Sequence, residues 1–150
     1  RLAMAKAFGA DAVINLDDFP NSKALHKEVR RLTDGYGADV VAELVGSPVV
    51  VNDGIKFLAS MGRYLEMGNI NFGMTYESDP SRLVMANKSI IGVSLYEPYA
   101  LGESLRFLER SKHTLPLDKM LAARFPLADI NAAFEKADKR EVVRACITME

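Results

Sequence analysis

Short apolar runs alternate along this chain with stretches whose apolar residues recur every three or four positions, the pattern of parallel strands joined by helices. Residues 1–8 read as the end of a helix, with Gly9 where a C-terminal cap belongs. Ala12–Leu16 reads as a buried strand. Pro20, Asn21 and Ser22 then punctuate, and Leu25, Val29 and Leu32 share one helical face until Asp34 and Gly35 stop it. Residues 39–45 form a second predicted strand, Gly46-Ser47-Pro48 a turn, and Val51, Ile55 and Leu58 the stripe of a helix ending near Met61-Gly62. A third strand is predicted over 63–67 and a fourth over 89–95, separated by an aperiodic loop at 69–82 with a short helix near Pro80–Met85. A helix carrying Leu101, Leu105 and Leu108 follows.

From 96 onward the spacing changes. A turn at His113–Pro116, a short segment Leu121–Phe125, a helix over 128–137 and a strand Val142–Thr148 make a strand-helix-strand unit that belongs to another layer. The expected fold class is therefore α/β, with a partial doubly wound parallel sheet in 1–95 and a separate C-terminal segment in 96–150. The chain opens on Arg1 inside a helical pattern, without a Met or a cap, which suggests that the natural protein starts earlier.

Composition narrows the picture. The 150 residues hold 19 Lys and Arg against 20 Asp and Glu, a formal charge of −1, which leaves no global attraction to nucleic acid or an anionic membrane. The single Cys146 has no disulfide or metal partner at useful spacing, so a reducing, cytoplasmic setting is the expectation. Apolar runs such as Pro48–Val51 are too short to span a bilayer.

Ligands of open parallel sheets sit at the carboxyl ends of the strands. Three predicted strand ends carry suitable residues: Leu44-Val45-Gly46-Ser47, Met67-Gly68-Asn69 and Val93-Ser94-Leu95. Each glycine also has a plain reading as a turn residue. His26 and His113 read as solvated surface residues, and Ser47, Ser94 and Thr75 have no G-x-S-x-G elbow around them. Glu43 interrupts an apolar strand and needs a partner; capping by nearby backbone is preferred over a place in the crevice. No G-x-G-x-x-G turn, P-loop or complete active site is present.

Four passages, in order and with their spacing, carry a more specific signal: RLAMAKAFGADAVIN, GADVVAELVGSP, GIKFLASMGRYLEMGNI and FPLADINAAFEKADKREVVRACITM. Together they resemble the carboxyl-terminal part of a medium-chain alcohol dehydrogenase of the zinc-binding type, over essentially the whole chain. The resemblance implies a Rossmann-like sheet of which this chain supplies strands three to six, and an NAD or NADP cofactor. It also implies that zinc belongs to an N-terminal catalytic domain outside this chain. Carried over by position, Arg1 lies near the adenosine ribose, and Leu44, Val45 and Gly46 on the adenine side. Met67, Gly68 and Asn69 lie beside the nicotinamide, Val93, Ser94 and Leu95 at its carboxamide, and Arg144 at the pyrophosphate. No catalytic or metal-ligating residue is expected within the chain.

The implied activity is hydride transfer between the nicotinamide and a small-molecule alcohol or carbonyl substrate, with the chain alone inactive. A homodimer through the Ser89–Leu95 strand edge is the expected assembly. The second candidate is a zinc-independent quinone or enoyl reductase of the same superfamily. The third is a non-catalytic interaction domain, and a methyltransferase ranks last.

Overall fold

The computed structural model describes residues 1–149. They form two compact units, one from Ile14 to Tyr96 and one that combines Arg1–Val13 with the stretch from Glu97 onward.

The first unit is built on a three-stranded parallel sheet. Helix α1 (Leu2–Ala7), in the other unit, precedes it in sequence, and helix α2 (Ser22–Leu32) opens it. Asn21 caps α2 by accepting from the Ala24 N–H at 3.0 Å. At the far end the Thr33 hydroxyl donates to the Val29 carbonyl, and Arg30 donates to the carbonyls of Gly35 and Tyr36, so the freed carbonyls beyond the helix are satisfied. Strand β1 (Ala38–Glu43) follows, then helix α3 (Val51–Phe57), entered through a 3-10 turn with Pro48 at its first position. Strand β2 (Leu58–Glu66), the short helix α4 (Ser81–Val84) and strand β3 (Ser89–Gly92) complete the unit, in sheet order β1-β2-β3.

Its core lies between α3 and the sheet. Val51, Ile55, Leu58 and Tyr64 are at most 1% exposed, with Val41 and Leu83 packed against them. Full burial of such side chains contributes about 1.5–3 kcal/mol each. Gly54 of α3 lies over the Tyr64 ring, and a Cβ there would overlap it. Lys88 reaches across to donate to the Ile55 carbonyl at 2.8 Å, near the end of α3, and burial lowers its pKa.

The second unit holds α1, α5 (Pro98–Ser111), α6 (Leu117–Met120), β4 (Ala123–Pro126), α7 (Ile130–Asp138) and β5 (Ala145–Thr148). Gly9 closes α1 as expected: its N–H bonds to the Lys6 carbonyl and that of Ala10 to the Ala5 carbonyl. Strands β4 and β5 pair in parallel, with α7 as their crossover.

Three sequence expectations need correction. Residues 12–16 do not form a strand: 12–15 carry no sheet assignment, Leu16–Asp18 form a 3-10 turn, and no strand among the described residues pairs with them. The described sheet therefore contains the later three of the four expected strands, and β1 is an open edge. The third helix ends at Phe57, not near Met61. Residues 58–62 belong to β2, where the pairing jumps from Ala38–Leu58 to Val40–Arg63, so β2 spends five positions where β1 spends two. Met61 there takes a left-handed φ of 62° and its N–H bonds to the Ala86 carbonyl, which a helix would not permit. Strands β1 and β3 also stop at Glu43 and Gly92, which leaves Leu44, Val45 and Val93–Leu95 beyond the ladder.

Candidate functional site

The carboxyl ends of β1 and β2 are joined by one carboxylate. Glu43 is 3% exposed, and its Oε1 accepts the N–H groups of Val45 at 2.5 Å and Gly46 at 2.8 Å. Its Oε2 accepts the Gly68 N–H and the Asn69 Nδ2, both at 3.1 Å. Burial pushes the Glu43 carboxyl up. Hydrogen bonds from the N–H groups of Gly46, Val45 and Gly68 outweigh it and hold the group below the ordinary glutamate value. Two further backbone bonds bind the strand ends, Met67 N–H to the Glu43 carbonyl and Val93 N–H to the Glu66 carbonyl.

Only glycine fits at two of these positions. A Cβ on Gly68 would stand 2.5 Å from both Glu43 Oε2 and the Gly46 nitrogen. Gly46 has a φ of +77°, and its Cβ would stand 2.7 Å from the Gly68 carbonyl oxygen. The two strand-end loops are thus in direct backbone contact, with the carboxylate beneath them.

Glu66 is the register partner of Glu43. Its Oε1 accepts from Asn69 Nδ2 at 2.9 Å and from the Asn69 N–H at 3.4 Å. A cleft of about 480 Å³ opens here, lined by Glu66, Met67, Asn69, Phe72, Val93 and Ser94 among others. Tyr64, two residues before Glu66 on the same face, has its phenol pKa raised by burial and then by the charges of Glu66 and Glu43.

The expected site residues therefore divide. Leu44, Val45 and Gly46 meet Met67, Gly68 and Asn69 through Glu43, while Met67, Asn69, Val93 and Ser94 share the cleft. Leu44 and Val45 are each 71% exposed, and Leu95 is 90% exposed with a φ of 58°. Arg1 and Arg144 lie in the other unit. Arg1 is the exposed residue at the head of α1, and Arg144 lines a separate cleft with Phe134 and Ala137.

Sequence reasoning misses Glu66, although a signal is there: both strands end on an acid followed closely by glycine, Glu43-Leu-Val-Gly46 and Glu66-Met-Gly68. His26 is not a solvated residue either. It is 21% exposed at its side chain, lies edge-on against Phe57, and shares Asp53 Oδ1 with the Ser22 hydroxyl. This trio does not build a nucleophile, because the same imidazole nitrogen faces both Ser22 and Asp53 and no proton relay runs through the ring. No group of three or more His, Cys, Asp or Glu side chains placed to hold a metal occurs among the described residues.

Residues 1–110 match the family model described as zinc-binding dehydrogenase. The chain belongs to this family. Among its relatives, the D-arabitol-phosphate dehydrogenase of Enterococcus avium is 26% identical over 147 residues, covering 98% of this chain and 40% of that protein. The erythritol/L-threitol dehydrogenase of Mycolicibacterium smegmatis is 30% identical over 139 residues, 90% of this chain and 35% of its own length. A solved structure described as an NAD-dependent alcohol dehydrogenase superposes with a TM-score of 0.78 at 29% identity, over 99% of this chain and 41% of that one. This zinc-binding dehydrogenase chain thus spans about two fifths of the relatives it matches, in their C-terminal part.

Proposed function

We propose that the chain is the cofactor-binding, C-terminal part of an NAD(P)-dependent alcohol or polyol dehydrogenase of the zinc type. The observation that carries this reading is the Gly46–Gly68 contact at the carboxyl ends of two parallel strands, beside a cleft, in a chain of this family. The contact holds the carboxyl ends of β1 and β2 together at the edge of the cleft, where open parallel sheets take their ligands. The relative's description as NAD-dependent supports a nicotinamide cofactor.

In this reading Met67, Gly68, Asn69, Val93, Ser94 and Leu95 surround the nicotinamide end. Leu44, Val45 and Gly46 line the path toward the adenine, and Arg1 and Arg144 serve the ribose and the pyrophosphate. The nicotinamide supplies hydride chemistry with a small-molecule alcohol or carbonyl. The chain's own residues bind and orient it, exclude water with Leu44, Val45 and Leu95, and offer no proton-transfer group. Zinc and its ligands belong to the part of the protein outside these residues. A cytoplasmic homodimer through the Ser89–Leu95 strand completes the reading, and β3 is an edge strand of the described sheet.

The test is titration of the full-length protein with NADH and with NADPH, followed by nicotinamide fluorescence. Saturable binding is expected, with Gly68→Val weakening it at least about tenfold, because a side chain there displaces the Glu43 carboxylate or the Gly46 backbone. The 150-residue chain alone is expected to oxidise no alcohol. Absence of binding of both NADH and NADPH to the full-length protein would overturn the reading in favour of a non-catalytic interaction domain.

A further inference from the structure

We propose that Asn69 is a positioning residue: its side-chain amide bridges the carboxylates of Glu43 and Glu66, and the bridge holds the ends of β1 and β2 in the geometry that receives the cofactor. The inference rests on the cofactor-binding reading above and assigns Asn69 a different task within it, that of organising the site from beneath.

The register of the sheet creates a problem at this point. Glu43 and Glu66 are direct neighbours on paired parallel strands, on the face that also carries Val41 and Tyr64. Neighbouring strands lie about 4.8 Å apart, and two like charges at that spacing repel most where water is scarce. Asn69 resolves it. Its Nδ2 carries two hydrogens and points one at each carboxylate, 3.1 Å to Glu43 and 2.9 Å to Glu66. An aspartate in its place would add a third negative charge, and a leucine of the same shape would donate nothing.

The other end of the same side chain shows how strongly that orientation is held. Asn69 Oδ1 is buried and has no hydrogen-bond partner. A flipped amide would aim this oxygen at two carboxylates, so the unpaired acceptor is the lesser cost. Both amide hydrogens are therefore spent on Glu43 and Glu66, and the side chain has none left for a ligand in the cleft. Through Glu43 the bridge reaches the N–H groups of Val45, Gly46 and Gly68, which fix the glycine contact itself.

Few other charges face the pair. Tyr64 lies on the same face of β2, and Tyr76 comes from the loop after it. β3 presents Gly92 opposite Glu66. From α3, Gly54 meets Tyr64, while Asp53 is engaged with Ser22, His26 and Lys56.

The experiment titrates full-length protein with NADH and with NADPH near neutral pH, for the parent, Asn69→Leu, and Asn69→Leu combined with Glu66→Gln. Loss of the bridge is expected to weaken cofactor binding about tenfold, the scale of a lost charge-assisted hydrogen bond. The combined variant should regain affinity, because the amide introduced by Glu66→Gln brings an uncharged donor to Glu43. Parental affinity in Asn69→Leu would overturn the proposal, and so would a loss that Glu66→Gln leaves unrepaired, the mark of a packing role alone. If the parent itself binds neither NADH nor NADPH, the cofactor reading fails and this role for Asn69 fails with it. The same variants compared by denaturation midpoint against pH would then still report whether the amide couples the two carboxylates.

Discussion

The two units of the chain spend their residues differently. In the unit from Ile14 to Tyr96, Val51, Ile55, Leu58, Ala59 and Tyr64 are all but sealed from solvent, and a buried acid is hydrogen-bonded at both oxygens. In the unit that contains α5, α7 and β5, Ala133 is the buried apolar residue among those described, while Leu101, Leu105, Phe107 and Phe134 are each at least 50% exposed. Both units pair parallel strands through a helix, so topology alone does not set the contrast. What separates them is a helix laid flat on its sheet: α3 presents Val51, Ile55 and the bare Gly54 to Tyr64, and no larger side chain would let it come so near.

The largest expected effect tests that contrast directly. Tyr64→Ala removes the ring on which α3 rests and should cost about 3–5 kcal/mol. Phe134→Ala removes an equally large apolar side chain from a 70% exposed position and should change stability by no more than about 0.5 kcal/mol. Urea denaturation of the two variants measures both. Similar losses would mean that the two units do not differ in packing as described.

How much of this is legible in the sequence follows the same divide between local and non-local causes. Helices α2, α5 and α7 are readable because their apolar spacing and stop signals are local. Asn21 caps α2 within its own neighbourhood, and Asp34 and Gly35 take positive φ values just after it. The end of α3 is not readable, since Leu58 continues the stripe of Val51 and Ile55 and only pairing with Ala38 draws it into a strand. Leu44, Val45 and Val93 look like strand core because an apolar residue just past a strand end reads the same in sequence as one inside the strand. Glu43 stands out as an acid in an apolar run, whereas Glu66 acquires its meaning from being opposite Glu43, a fact of register. The trio of Ser22, His26 and Asp53 joins residues about thirty positions apart and has no local signature.

The next effect in size concerns the buried acid. Glu43→Gln replaces one acceptor oxygen by an NH2 group that faces donors, which should cost about 2–3 kcal/mol near neutral pH. The folded carboxyl ionises at lower pH than its ordinary value of 4.5, so between those two values the unfolded chain binds more protons. The stabilisation is complete above about pH 4.5 and drains away as pH falls through the lower, folded value. The gap between parent and Glu43→Gln should accordingly narrow in acid. A gap that stays constant from neutral pH down to the acid transition would show that the carboxylate charge contributes nothing.

The smallest effects sharpen the comparison at the level of single ion pairs. Asp53 ties α3 to α2: its Oδ1 accepts from Ser22 at 2.5 Å and faces His26 at 3.2 Å and Lys56 at 3.6 Å, with 30% of the side chain exposed. Burial raises its pKa, but the Ser22 hydrogen bond and the charges of His26 and Lys56 pull harder and leave it below the ordinary 3.8. Its partial exposure discounts the Coulombic part, so Asp53→Asn should cost about 1 kcal/mol. That cost should be present above about pH 4 and lost below it. In the other unit Glu135 faces Lys139 at 3.8 Å with both side chains more than 60% exposed, a pair that water and salt screen almost completely. Glu135→Gln should shift stability by less than about 0.5 kcal/mol at any pH. Added salt separates the two cases further: a high-salt denaturation series should erase whatever Glu135 contributes and leave most of the Asp53 effect, because the Ser22 hydroxyl is a neutral donor that ions do not screen. Equal salt sensitivity at the two positions would place Asp53 among the surface pairs and remove it from the contacts that hold α2 to α3.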